Sequence, residues 1–222
     1  MKNFILLISI FLASILSSCS PKINKLSAYS NIYKEKPLSI MIMPPINKST
    51  KVDAKMSFYN TLAMPIADNG YYVFPPSLSM QFLQDQSAYD AELLLDKSMV
   101  ILNQTFNADA VLFTTIHDWR KVTIGSAVIV KIEYLLKSAK TDEVLFNRIG
   151  LVKVNASGNT GSVIADLAVG MLKTAFTKEV AVAKSCNNYS LIDIPKGKYS
   201  TLYGTDQHSP AGKKEFSITL SQ

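Results

Sequence analysis

The stretch VIVKIEYLLKSAKTDEVLFNRIGLVKV, Val128–Val154, decides the fold. Val128, Val130, Ile132, Tyr134 and Leu136 fall at every second position, with Lys131, Glu133 and Lys137 on the alternate ones. That period of two belongs to a strand with one face in a core and the other in water. Turn-forming residues around Lys140-Thr141-Asp142-Glu143 reverse the chain, and Val144–Val154 returns as a second strand. The pair is an antiparallel hairpin, and the elements upstream say what sheet it joins.

Upstream, "PLSIMIMPP" (Pro37–Pro45) holds a short apolar run, Leu38–Met43, stopped by two prolines, as expected of a buried strand entering a loop. From about Asp53 a helix follows, with Phe58, Leu62 and Ile66 on one face, Pro65 predicted to kink or restart it, and Gly70 as its left-handed cap. A second strand, "YYVFPP" (Tyr71–Pro76), comes next. Helical pattern then returns in two pieces: one capped by Ser77 around Met80–Leu83, the other capped by Asp96 with Met99, Leu102 or Asn103, and Phe106 on a face. "ADAVLFTTIHDW" (Ala108–Trp119) is the third strand, with Val111, Phe113, Thr115, His117 and Trp119 expected on one side and Leu112 and Ile116 on the other. After the hairpin, Asn155–Ser162 reads as a loop. Val163, Leu167, Met171 and Phe176, flanked by Ile164, Ala168, Leu172 and Ala175, mark an amphipathic final helix ending near Lys184. Strands separated by helices run parallel through right-handed crossovers, so the expectation is an α/β fold: a single mixed sheet of parallel strands plus an antiparallel hairpin, packed by helices. Residues 186–222 read as a mostly irregular extension with one strand at Phe216–Leu220.

The amino terminus is of another kind. Met1-Lys2-Asn3 is a short basic start and Phe4–Leu16 an apolar run broken only by Ser9 and Ser14, too short to span a bilayer and suited to a secretory signal covering residues 1–18. Leu16-Ser17-Ser18-Cys19 resembles the lipobox of bacterial lipoproteins, which implies cleavage before Cys19 and acylation of that residue. Two or three acyl chains on one residue make an anchor that hardly dissociates. Ser20 in place of an aspartate favours the outer membrane by the same resemblance. Residues 19–36, polar and turn-rich, read as a lipidated tether leading to an α/β domain at 37–185. Taking 18 residues from 222 leaves 204, with 48% apolar and 18% charged residues in the whole chain, the composition of a globular domain. Lys2 is the only charge removed, so +6 becomes +5, a mild and scattered basic excess. An exported protein rarely meets nucleic acid, and that class of partner is set aside. With Cys19 acylated, Cys186 has no partner in the chain; it is either buried and idle or paired with another molecule.

The element order, with "MPPINKST", "GYYVFP" and "NADAVLFTTIHDW", resembles a family of outer-membrane lipoproteins of unknown function that includes a meningococcal vaccine-candidate antigen. The likeness spans about Pro37 to Leu172. It implies a fold similar to the amino-terminal domain of TolB and to the lipoproteins of curli secretion and polysaccharide export. It also implies a periplasm-facing, lipid-anchored protein, with a curli-secretion-like lipoprotein as partner and self-association conceivable through an exposed edge strand. Asp142 departs from the family pattern, standing where a glycine is usual, and the carboxy-terminal extension is dissimilar.

No catalytic, cofactor or metal set is expected. His117 and Asp118 are neighbours on a strand and should point to opposite faces; His208 lies in a polar tail; two histidines and one spare cysteine are a poor stock for zinc. "NASGNTGS" lacks the lysine of a phosphate loop, and no Gly-x-Ser-x-Gly elbow occurs. Tyr71, Tyr72 and Trp119 are either interface anchors or core. The leading expectation is a non-enzymatic component or adaptor of an envelope or secretion assembly. A regulator docking on a cell-wall synthase is the alternative, and a hydrolase of envelope polymers the third.

Overall fold

The computed structural model describes residues 23–85, 91–122, 127–155 and 178–221. The signal, Cys19, the 156–162 part of the loop and the amphipathic segment Val163–Phe176 lie outside them.

The hairpin is the centre of the sheet. Strands β4 (Ala110–Val122), β5 (Ala127–Ser138) and β6 (Val144–Asn155) pair antiparallel over nearly their whole lengths. β1 (Ser39–Ile42) lies parallel to β4, with Ile40 opposite Ala110, and on its other side to β3 (Tyr72–Val73). β2 (Ile46–Asn47) also runs along β4, opposite Thr115 and Ile116. Pro44 and Pro45 therefore open a gap in one line of pairing, because proline has no N–H for a ladder, and the pairing resumes beyond them. At the far side β7 (Glu215–Ser221) lies parallel to β6, giving the order β3-β1-β4-β5-β6-β7. The expected strand at Phe216–Leu220 is this edge strand.

Each face of the sheet carries its own core. Val130, Ile132, Tyr134 and Leu136 of β5 are fully buried on one face, with Ile40, Ile42, Leu112 and Ile116. Helix α3 (Ala54–Asp68) covers them with Phe58, Leu62 and Ile66, all 0% exposed, and α6 (Lys178–Leu191) packs beside it with Val182, Ala183 and Cys186. The other face buries Met41, Met43, Val111 and Phe113 under α4 (Pro76–Asp85), a 3₁₀ turn at Ala91–Leu94 and α5 (Val100–Phe106). Helix α3 runs on through Pro65, and Gly70 (φ 89°) follows its cap. A side chain at Gly70 would meet Ser200 and Gly197 of the carboxy-terminal segment, so glycine is required there twice over.

Several expectations need correction. First, the register of β4 slips between Ile116 and Asp118, placing an extra residue at His117. Trp119 thereby sits opposite Val130 in the α3-side core, against Phe58 in an edge-on contact at 5.9 Å, and not beside Phe113. Second, α6 runs to Leu191, seven residues past the expected end at Lys184, because its inner face is buried to the last turn. Asn187 there accepts from the Tyr134 hydroxyl at 2.8 Å and donates to Phe58 O and Thr61 Oγ1. Third, residues 24–36 are no free tether: α1 (Lys25–Ala28) and α2 (Ser30–Glu35) dock on the fold with Tyr29 and Ile32 buried.

The hairpin turn carries Asp142, expected from the resemblance to stand where a glycine is usual. Asp142 adopts φ 61°, the left-handed region that glycine enters freely. Its carboxylate accepts from Ser98 Oγ and the Met99 amide, both at 2.6 Å, at the start of α5. The cap expected from Asp96 thus comes from the hairpin, across space, and these bonds compensate for the backbone strain. Asp142→Ala is expected to destabilise the protein by about 1–2 kcal/mol, and Asp142→Gly by about 1 kcal/mol less, since it relieves the strain. Urea unfolding of the two variants measures the difference; equal losses would refute the trade.

Asp109 plays the matching part for β1. It accepts from the amides of Leu38 and Ser39 at 2.9 and 3.1 Å and pairs with Lys140 at 2.5 Å. Partial burial works against its ionisation, yet Lys140 and these donors outweigh it and hold the carboxyl below its ordinary value. At Asp142 too, burial works against ionisation, and the bonds from Ser98 and Met99 together with the charge of Lys137 outweigh it and hold the carboxyl below its ordinary value. A lowered carboxyl stabilises the fold fully above the unfolded-state value of about 3.9 and ceases to do so as pH falls through its folded value. The urea midpoint is expected to drop below about pH 4, and the Asp109→Asn, Asp142→Asn double variant to drop less steeply over the same range.

Candidate functional site

Two aspartates in the carboxy-terminal segment hold the amino-terminal helices in place. Asp206, nearly buried, pairs with Lys25 at 3.6 Å, accepts from the Tyr33 hydroxyl at 3.0 Å, and accepts the Lys196 amide at 3.0 Å. Asp193 accepts a short hydrogen bond from the Tyr29 hydroxyl and another from the Gly212 amide at 2.9 Å. Burial first, then these carboxylates, push both tyrosine hydroxyls far above their usual range, so they are donors at any physiological pH. Arg148, 4% exposed, donates to Ser190 O and Lys213 O and lies 4.3 Å from the Phe216 ring, tying the segment to β6 and α6. Backbone bonds complete the clamp: the Lys25 amide to Ser209 O, Leu26 to Gln207 O, and Ala211 to Ile23 O. Residues 186–221 are thus part of the fold.

This clamp shapes a groove of about 710 Å³ between residues 23–29, the start of β6 and the 210–214 loop. Tyr29, Leu145 and Phe146 line it, Ile23 and Val144 stand exposed at its edge, and Lys213 and Lys214 are the charged side chains in its lining among the described residues. The described chain enters here, four residues after Cys19. Lys25 and the clamp gave no signal in the sequence, since nothing in a polar run pairs Lys25 with a residue 181 positions away.

The other flagged residues fall elsewhere. His117 lies 2.9 Å from Glu133, which also accepts from Asn147, a row across three strands on the α4/α5 face of the sheet. Asp118 meets Arg120 at 3.3 Å on that same side, because the bulge suspends the alternation that was to separate it from His117. The described residues contain no group of three or more His, Cys, Asp or Glu side chains able to hold a metal. Cys186 is a buried thiol whose ionisation burial strongly disfavours. Tyr71 and Trp119 are core, Tyr71 donating to Pro195 O at 2.7 Å, whereas Tyr72 is 52% exposed against Phe74.

Asp206→Ala strands the Lys25 ammonium in a nearly closed site, and removing one partner of such a pair costs about 3–5 kcal/mol. The expected outcome is a lowered denaturation midpoint together with rapid proteolysis after Lys25 and Lys34. A variant whose amino-terminal segment stayed protected would show that the clamp lies elsewhere.

Comparison with known proteins places the chain. A curated relative from Neisseria meningitidis serogroup B, "Putative lipoprotein NMB1124/NMB1162", is 30% identical over 119 residues, 54% of each chain, so the match spans about half that relative's length. The crystal structure of lipoprotein GNA1162 from Neisseria meningitidis has a similar fold, with a TM-score of 0.51 and 22% identity over 61% of this chain and 96% of that one. A PelC dodecamer from Paraburkholderia phytofirmans gives 0.42 and 16%, over 71% and 88%. No helix among the described residues is long and apolar enough to cross a membrane. The family model described as "Putative lipoprotein GNA1162-like" matches residues 27–202, and the chain belongs to that family.

Proposed function

We propose that this protein is a lipid-anchored, non-enzymatic component or adaptor of an envelope or secretion assembly, held at the periplasmic side of the outer membrane by lipid on Cys19. Membership of a lipoprotein family across residues 27–202 carries the reading, and Cys19, in its lipobox-like context, stands eight residues before that match begins. The sheet supplies the surfaces an adaptor needs. Among the described residues β7 stands at the end of the strand order, the position from which a sheet can take up a strand of another chain. Beside it, Leu151 (39% exposed) lies between the exposed Lys131 on β5 and Ser217 on β7. A second envelope lipoprotein of the curli-secretion kind is the partner the family resemblance favours, and another copy of this chain is the competing occupant.

A photo-crosslinking residue placed at Leu151 or Ser217 in living cells is expected to capture one discrete envelope protein. An adduct of twice the chain's mass would identify self-association, and no adduct at either position would refute the adaptor role. Intact mass of the native protein is expected to show an acylated residue 19; a bare amino terminus would refute the anchor.

A further inference from the structure

The groove between the amino-terminal segment and the 210–214 loop has an orientation that the lipid anchor would impose. Ile23, four positions after Cys19, accepts a hydrogen bond from the Ala211 amide and is already part of the fold. Four residues reach at most about 14 Å even when fully extended. An acylated Cys19 would therefore deliver this end of the domain to the bilayer surface, in place of the longer reach of an 18-residue tether.

The chemistry of that end is that of a surface made for amphiphiles. Ile23 is 62% exposed and Val144 48%, and the two border one groove whose inner wall is the buried Tyr29, Leu145 and Phe146. Among the described residues that line the groove, the charged side chains are Lys213 and Lys214, both cationic and both exposed, with no carboxylate beside them in that lining. Glu215, the next residue, sits at the start of β7, opposite Ile149, one position from the inward-facing Phe216. An apolar cleft rimmed by lysines matches an anionic phospholipid: phosphates on the ammonium groups of Lys213 and Lys214, glycerol and upper acyl carbons against the exposed Ile23 and Val144.

We propose that this groove is the face by which the protein lies on an anionic phospholipid bilayer. The inference takes its orientation from the lipid-anchor reading, but its test does not need the anchor. The mature chain carrying Cys19→Ala, made without lipid, is mixed with vesicles of phosphatidylcholine alone or with phosphatidylglycerol added, and binding is measured by co-sedimentation. Binding is expected to the anionic vesicles and to be at least tenfold weaker to the neutral ones. The Lys213→Glu, Lys214→Glu pair is expected to weaken it roughly 30-fold or more, about tenfold or less remaining attributable to each lysine. The same charge change at Lys131 and Lys153, exposed on the α4/α5 face of the sheet, is expected to alter it by less than about threefold. Ile23→Ser separates the apolar contribution and should weaken binding with folding intact, as read from the thermal midpoint. Absence of binding to anionic vesicles, or equal losses from the two lysine pairs, would overturn the assignment. Failure of the anchor itself would appear separately, as an unmodified Cys19 in the native protein.

Discussion

Everything in this molecule is hung on the face alternation of one strand. β5 has neighbours on both sides for most of its length and buries Val130, Ile132, Tyr134 and Leu136 on one face. Because successive side chains must point to opposite faces, those four residues determine where α3 and α6 pack. The register is held from within the core as well: the Tyr134 hydroxyl reaches Asn187 of α6, which in turn bonds Phe58 O and Thr61 of α3. A one-residue slip of β5 would bring lysine and glutamate into that layer and carry the tyrosine out of reach.

The second organising element is polar. Asp193 and Asp206 take hydroxyl, amide and ammonium donors from three separate parts of the chain and draw both ends of the described protein together. Buried carboxylates demand such partners, since each would otherwise lose its hydration without return. A chain expected to join the fold only at Pro37 is held against it from Ile23 onward, which brings the first held residue within four positions of Cys19, the proposed site of the lipid.

Some departures from sequence-based expectation share one cause. Asp142 looked like a defect in a turn and is a helix cap for α5, supplied from 43 residues away. His117 and Asp118, read as pointing apart, lie on one side of the sheet because His117 is the extra, bulged residue between the paired Ile116 and Asp118. In each case local rules were sound and a long-range contact overrode them: a side chain satisfied from another element, or a strand pairing whose registers do not match one to one.

What the sequence by itself determined is the set of elements whose pattern repeats locally: the alternating strands of the hairpin, the Phe58-Leu62-Ile66 stripe of α3, the Gly70 cap, the parallel order of the first strands and the edge strand near Phe216. Periodicity encodes which face meets a core, and that is a local property. Only the tertiary structure decided the docking of α1 and α2, the reach of α6 to Leu191, the source of the α5 cap and the shape of the groove. These rest on pairs such as Lys25 with Asp206 and Tyr29 with Asp193, which are 181 and 164 residues apart. No periodicity links such residues; only the closed fold brings a buried charge to the one partner that can satisfy it.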